Sequence, residues 1–299
     1  MSEYHLPVML KESIDSLEIK PNGVYVDATH GGGGHSAKIL EKLDANGKLF
    51  AFDQDENSKN QAIKDNRLIF VASNFRNLRR FLRIHDITEV DGILADLGVS
   101  SYQIDTPDRG FSYRYDNELD MRMDQNAQKT ASTIINTYTE EELQTIFSKY
   151  GEIRNSKTLA QKIIQRRKLS KINKTKDLLE ILDSNIIGDR FKYYSQVFQA
   201  IRIEVNDEIN ALTDFLEQSL VSLKSNGIIA VLSYHSLEDK LVKNFFKTGN
   251  VDGNFDSDFY GNITRPFEII TKKAEVPTLE EIKLNPRSRS AKLRVARKK

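Results

Sequence analysis

The apolar positions of this chain change their period three times. Val24–Asp27, Lys48–Asp53, Leu68–Ala72 and Asp91–Asp96 are short apolar runs that predict strands. Helical spacing separates them over Ala37–Leu43, Asn57–Lys64 and Asn74–His85, where Leu78, Phe81 and Leu82 share a face. Such alternation predicts a parallel sheet with helices on both faces. The rhythm breaks at Tyr102–Asp124, which is polar, aromatic and rich in Arg and Asp. From Thr130 to about Asn185 only helical spacing remains, and a long helix is expected over about Val197–Leu223, stopped by Asn226-Gly227. The sheet resumes at Ile228–Ser233. Ser236 with Asp239 reads as a capping box for a helix Lys240–Phe246. A Gly, Asn and Asp-rich loop (Thr248–Asn262) and a last strand within Ile263–Lys272 complete the pattern. The expected fold is α/β, a Rossmann-like core with an inserted helical domain. Its divisions are 1–105 and 206–282 for the core, 106–205 for the insertion, and 283–299 as a basic C-terminal tail, mobile when free.

Composition narrows the classes. The 299 residues are 39% apolar and 29% charged, ordinary for a globular chain. No apolar run reaches membrane-spanning length, and the first residues lack a signal-peptide pattern. Cysteine is absent, which excludes disulfides and thiolate zinc sites and fits a cytoplasmic setting. The net charge of +1 hides a segregation. Lys149–Lys176 carries ten Lys or Arg against one acid, Glu152, and Lys283–Lys299 carries eight and no acid. An anionic partner such as nucleic acid is one reading; solvated helix faces and tails are the other.

The densest chemistry follows the first strand, in D-A-T-H-G-G-G-G-H-S (Asp27–Ser36). Gly32, Gly33 and Gly34 in a strand–helix turn let bare backbone approach a ligand, and N–H groups at the helix start can hold an anion. Asp53, 19 residues after Gly34, sits where nucleotide-binding folds place an acid on a ribose; it could equally be a solvated turn. Four consecutive glycines do not match G-x-G-x-x-G, which favours a smaller adenosine cofactor such as S-adenosylmethionine over a dinucleotide. His35 either covers that cofactor or is a helix-start residue. Phe75 either packs on an adenine or belongs to the core. Asp96 ends the fourth strand, where a ligand binds outside the carboxyl ends. It either accepts an N–H from a base amine or caps the strand. His235, in S-Y-H-S-L-E-D, lies on the same sheet edge. There is no metal-ligand spacing and no G-x-S-x-G, so neither a metal nor a serine hydrolase is expected.

Several motifs occur in a fixed order: H-L-P-V-M-L (His5–Leu10), the glycine turn, D-L-G-V-S-S (Asp96–Ser101), D-R-G-F-S (Asp108–Ser112), L-D-M-R-M-D (Leu119–Asp124), Y-G-E (Tyr150–Glu152), F-Q-A-I-R-I-E-V-N (Phe198–Asn206), S-Y-H-S-L-E-D (Ser233–Asp239) and N-P-R-S-R-S (Asn285–Ser290). On these residues, over nearly its whole length, the chain resembles the bacterial ribosomal RNA small subunit methyltransferase H family. The resemblance implies S-adenosylmethionine-dependent methylation of the exocyclic N4 amine of a decoding-site cytidine in 16S rRNA. It implies cofactor contacts at Gly33, Gly34, His35, Asp53, Phe75, Asp96 and Gln103. Asp96 would hold the amine, with Tyr234 or His235 framing the base, and the small ribosomal subunit is the implied partner. A homodimer is compatible with the sequence but not shown by it. An RNA-binding assembly factor that keeps the fold without turnover is the alternative. The chain departs from the family pattern at His30, usually apolar or glycine, at Gln54 in place of a common Arg, and at Gln196 where an Arg often precedes F-Q-A.

Overall fold

The computed structural model describes residues 7–55, 57–58, 63–255, 263 and 265–299. The chain divides into two compact units, one built from its two ends (1–98 and 209–299) and one from residues 99–208. The expected helix Asn57–Lys64 lies largely outside the described residues, as does the end of the loop Thr248–Asn262.

The first unit is a seven-stranded sheet. Its strands are β1 (Val24–Asp27), β2 (Lys48–Asp53), β3 (Leu68–Ala72), β4 (Val90–Asp96), β5 (Leu223–Ser233), β6 (Phe267–Ile269) and β7 (Lys292–Lys298). Their spatial order is β3-β2-β1-β4-β5-β7-β6. The first five run parallel, and β7 lies antiparallel to both β5 and β6. Strand order reverses between β1 and β4, so a crevice opens at their carboxyl ends. Central strands are buried on both faces and hence read as continuous apolar runs. Val26, Phe50, Ile93, Ile229 and Val231 face one helical layer, and Tyr25, Leu49, Leu94, Ile228 and Ala230 the other. Helices α1 (Leu10–Ser16) and α2 (Gly34–Lys42) supply Ile14, Ile39 and Leu40 to the second layer. Helix α3 (Leu78–Ile84) supplies Leu78 and Leu82 to the first.

The second unit is helical. It contains α4 (Ser101–Asp105), α5 (Ala131–Thr137), α6 (Glu140–Gly151), α7 (Ser156–Leu169), α8 (Thr175–Asp183) and α9 (Arg190–Asn206). Leu143, Phe147, Leu159, Ile163, Leu178, Leu182, Val197 and Ile201 meet in its own core. Thr139 and Glu142 form a capping box that starts α6, and three acids in its first turn suit the helix dipole.

Four expectations are corrected. The long helix is two, α9 and α10 (Glu208–Ser222), separated by Asp207 at a left-handed φ of 52°. Apolar spacing runs on through Val205, Ile209 and Leu212, so periodicity alone hides that break. Asn226-Gly227 does not stop a helix, because β5 already begins at Leu223. The cap of α11 (Ser236–Thr248) is His235 with Glu238 rather than Ser236 with Asp239. Most consequential, the C-terminal tail is not free. Lys292–Lys298 is β7, with Leu293, Val295 and Ala296 buried between β5 and β6, after α12 (Leu279–Leu284).

Candidate active site at the carboxyl ends of the strands

In the sheet unit, β1, β2 and β4 each end in an acid: Asp27, Asp53 and Asp96. Asp27 is buried and fully engaged. Its Oδ2 accepts from Ser36 Oγ at 2.6 Å and its Oδ1 from the Thr29 N–H at 3.1 Å. Because Ser36 spends its hydrogen on Asp27, His30 Nδ1, at 2.8 Å, must donate to Ser36 Oγ. This three-residue chain pins the glycine turn to the end of β1. Sequence reasoning assigns Asp27 and Ser36 no role; an acid at a strand end followed by a polar helix-start residue is the available signal.

The turn itself needs glycine at two places. Gly33 is the N-cap of α2 with φ 78°, where a side chain would be strained. A Cβ on Gly34 would lie 2.1 Å from Pro7 Cγ. Gly32, in contrast, faces open space. The first N–H groups of α2 have no intrahelical acceptor. Asp53 is tied to the same turn: its Oδ2 accepts from the Gly31 N–H and its Oδ1 from the Asp55 N–H, both at 2.8 Å. Burial raises its pKa, and the backbone hydrogen bond from Asp55 is the largest opposing influence. The Ser58 side chain hydrogen-bonds to the same carboxylate and also lowers the value.

Asp96 stands across the crevice. Its Oδ1 accepts from Tyr234 Oη at 2.6 Å, and its Oδ2 lies 3.8 Å from His35 Nδ1. The Asp96 N–H donates to Thr29 Oγ1 at 2.6 Å. His35 Nε2 is 3.2 Å from the Val8 carbonyl and so carries the hydrogen there. Burial pushes the Asp96 carboxyl above the usual range, opposed by His35 and the Tyr234 hydroxyl. Tyr234 is pushed well above the ordinary tyrosine value, by burial first and then by Asp96, so it remains a donor. The Asp96 side chain nevertheless keeps 23% of its surface accessible.

The other expected residues fall in several places. Phe75 packs edge-on against Phe215, 5.1 Å between centroids, at the margin of the core. His235 Nδ1 accepts from the Glu238 N–H, and Glu238 Oε2 accepts from the Tyr234 N–H at 2.9 Å, so this pair fixes the backbone that presents Tyr234. Gln103 belongs to the helical unit and closes a capping box with Ser100 there. Among the described residues, no helix is long and apolar enough to cross a membrane.

Comparison with known proteins adds to this geometry. Residues 2–299 match the model of the MraW methylase family. The chain is 52% identical over 297 residues to a Bacteroides fragilis protein named ribosomal RNA small subunit methyltransferase H, covering 99% of this chain and 98% of that one. A Flavobacterium johnsoniae protein of the same name is also 52% identical, with the same coverage of each chain.

Proposed function

Since the chain belongs to the MraW methylase family, we propose that it methylates the exocyclic N4 amine of a decoding-site cytidine in 16S rRNA, using S-adenosylmethionine. At the coarser level it is a methyltransferase of small-subunit ribosomal RNA. The residues present fit the cofactor: Gly32 leaves the turn open on one side, Gly33 holds a backbone in which a side chain would be strained, and Asp53 places a carboxylate against the same turn. Gly32, Gly33, Gly34 and Asp53 would hold it, with His35, Phe75 and Gln103 as further proposed contacts. Bound there, S-adenosylmethionine supplies a methyl group already activated by the sulfonium charge.

The chain's own work is then positioning. A cytosine amine is a weak nucleophile because its lone pair is conjugated with the ring. Asp96 Oδ2 accepts one amine hydrogen, which turns the nitrogen toward a pyramidal, attacking shape. Tyr234 holds Oδ1, so the carboxylate cannot rotate away, and its hydrogen bond favours the charged form the task needs. His35 lines the opposite side. His235 acts one step back, through Glu238 and the Tyr234 backbone. The observation that carries the reading is the fixed Asp96–Tyr234 pair, its carboxylate partly accessible, on the same sheet edge as the glycine turn. The basic face of the helical unit would hold the RNA, and the target base is expected to leave its stack.

Labelled S-adenosylmethionine and small subunits from cells lacking this protein test the reading. The expected product nucleoside is N4-methylcytidine. Label on another atom would refute the proposed acceptor. No transfer to subunits or free RNA, with cofactor still bound, would favour the assembly-factor alternative.

A further inference from the structure

An aromatic run in the helical unit passes from core to solvent. Tyr194 and Phe198, on α9, are buried. Tyr113 packs edge-on against both rings, at 5.6 Å from each. Phe191, one turn before Ser195 on the same helix, continues the run beside Tyr113, 6.5 Å between centroids and 23° between planes. Yet Phe191 is 63% exposed. A phenylalanine recruited for stability would be buried as Phe198 is; here a rigidly backed ring faces water. Asp189 caps the start of α9 by accepting from the Lys192 N–H, so the backbone under Phe191 is ordered. Of the nearby acids, Asp183 is engaged with Arg190 and Asp189 with the α9 backbone. Arg114 and Lys192 are exposed, and neither has an acidic partner among the described residues. Arg190 next to them is held over the Tyr194 ring and against Asp183.

An exposed π face backed by packed rings and flanked by unpaired cations suits an unstacked nucleobase whose phosphates lie alongside. We propose that Phe191, backed by Tyr113, is a stacking platform for an unpaired base of the RNA substrate. This rests on the RNA reading above and deepens it: the platform requires a single-stranded or splayed segment, not a duplex.

The chain contains no tryptophan, so Phe191→Trp installs one reporter at the site. A single-stranded oligoribonucleotide should quench its fluorescence saturably. The same sequence as a duplex, or polyphosphate at equal charge, should quench it far less. Phe191→Ala should raise the KM for RNA about tenfold with kcat unchanged, and Phe191→Tyr should restore it. Because the ring is exposed, the alanine variant should melt as the wild type does. Equal quenching by polyphosphate, or an unchanged KM in Phe191→Ala, would overturn the proposal. A changed oligomeric state with unchanged KM would also overturn it and assign this face to a second copy of the chain. The quenching is read without methyl transfer, so a wild-type protein that binds RNA at this ring but transfers no methyl group would refute the function and leave the platform standing.

Discussion

Lys149–Lys176 and Lys283–Lys299 carry nearly the same surplus of positive charge, yet their side chains end in different company. In the C-terminal stretch, Arg294 donates to Asp239 at 2.7 Å and Lys292 to the same carboxylate at 3.1 Å. Arg297 reaches Glu18 at 2.5 Å, and Lys298 donates to the Leu223 carbonyl. These cations fasten a strand into the sheet unit. In the helical unit, Arg167 is also structural, donating to the Ile135 and Tyr138 carbonyls. But Lys157, Lys168, Lys171 and Lys176 are exposed and have no acidic partner among the described residues. Four cations of one basic stretch are spent on the fold, and four lysines of the other have no acid beside them among the described residues. A charge count cannot separate the two, because what distinguishes them is where the acids of distant segments arrive.

The largest expected effect comes from removing residues 292–299. That takes β7 out from between β5 and β6 and exposes both edges. It also loses Leu293 and Val295, each worth about 1.5–3 kcal/mol on burial, a large share of the roughly 5–15 kcal/mol that holds a domain together. The truncated chain should lose its cooperative thermal transition. Melting near the full-length temperature would mean that β7 is dispensable, and the contrast between the stretches would collapse.

Asp239→Ala tests the same attachment more gently. Arg294 and Asp239 side chains are only 12% and 15% exposed, so an unpaired arginine there should cost about 2 kcal/mol. Burial alone would raise the Asp239 pKa, but Arg294 and Lys292 outweigh it and the value is lowered. The stabilisation is therefore present above the ordinary carboxyl value of 3.8 and is lost as pH falls from there through the depressed folded value. Chemical denaturation at pH 7 and at pH 3 should show the gap between wild type and variant narrowing in acid. A pH-independent gap would contradict the ion pair's role.

Lys168→Ala with Lys171→Ala should leave stability within about 0.5 kcal/mol of wild type. RNA affinity should fall, and the salt slope should drop by about 0.7–0.9 for each phosphate that is no longer neutralised. An unchanged slope would show that these lysines are solvated only.

Much of the sheet unit is legible because its signals are local. Apolar runs bounded by turns mark β1 through β5, and an acid at the end of each of β1, β2 and β4 marks the crevice. The β7 strand is also written in the chain, as K-L-R-V, with Leu293 and Val295 alternating with Lys292 and Arg294. Its abundance of cations draws the reading toward a tail instead. The tether of Asp53 to Gly31 and the Tyr234–Asp96 bond join residues 22 and 138 positions apart. Pairings over such distances are set by strand order, and no local period encodes them. His235 resists for another reason: a histidine on a sheet edge looks the same in sequence whether it meets a substrate or caps a helix.

The central claim is that Asp96 positions the reacting amine. Asp96→Ala should cut single-turnover methyl transfer to small subunits about a hundredfold or more, while S-adenosylmethionine binding measured calorimetrically changes little. Wild-type-like transfer in that variant, or equal losses in transfer and cofactor affinity, would remove Asp96 from the chemistry.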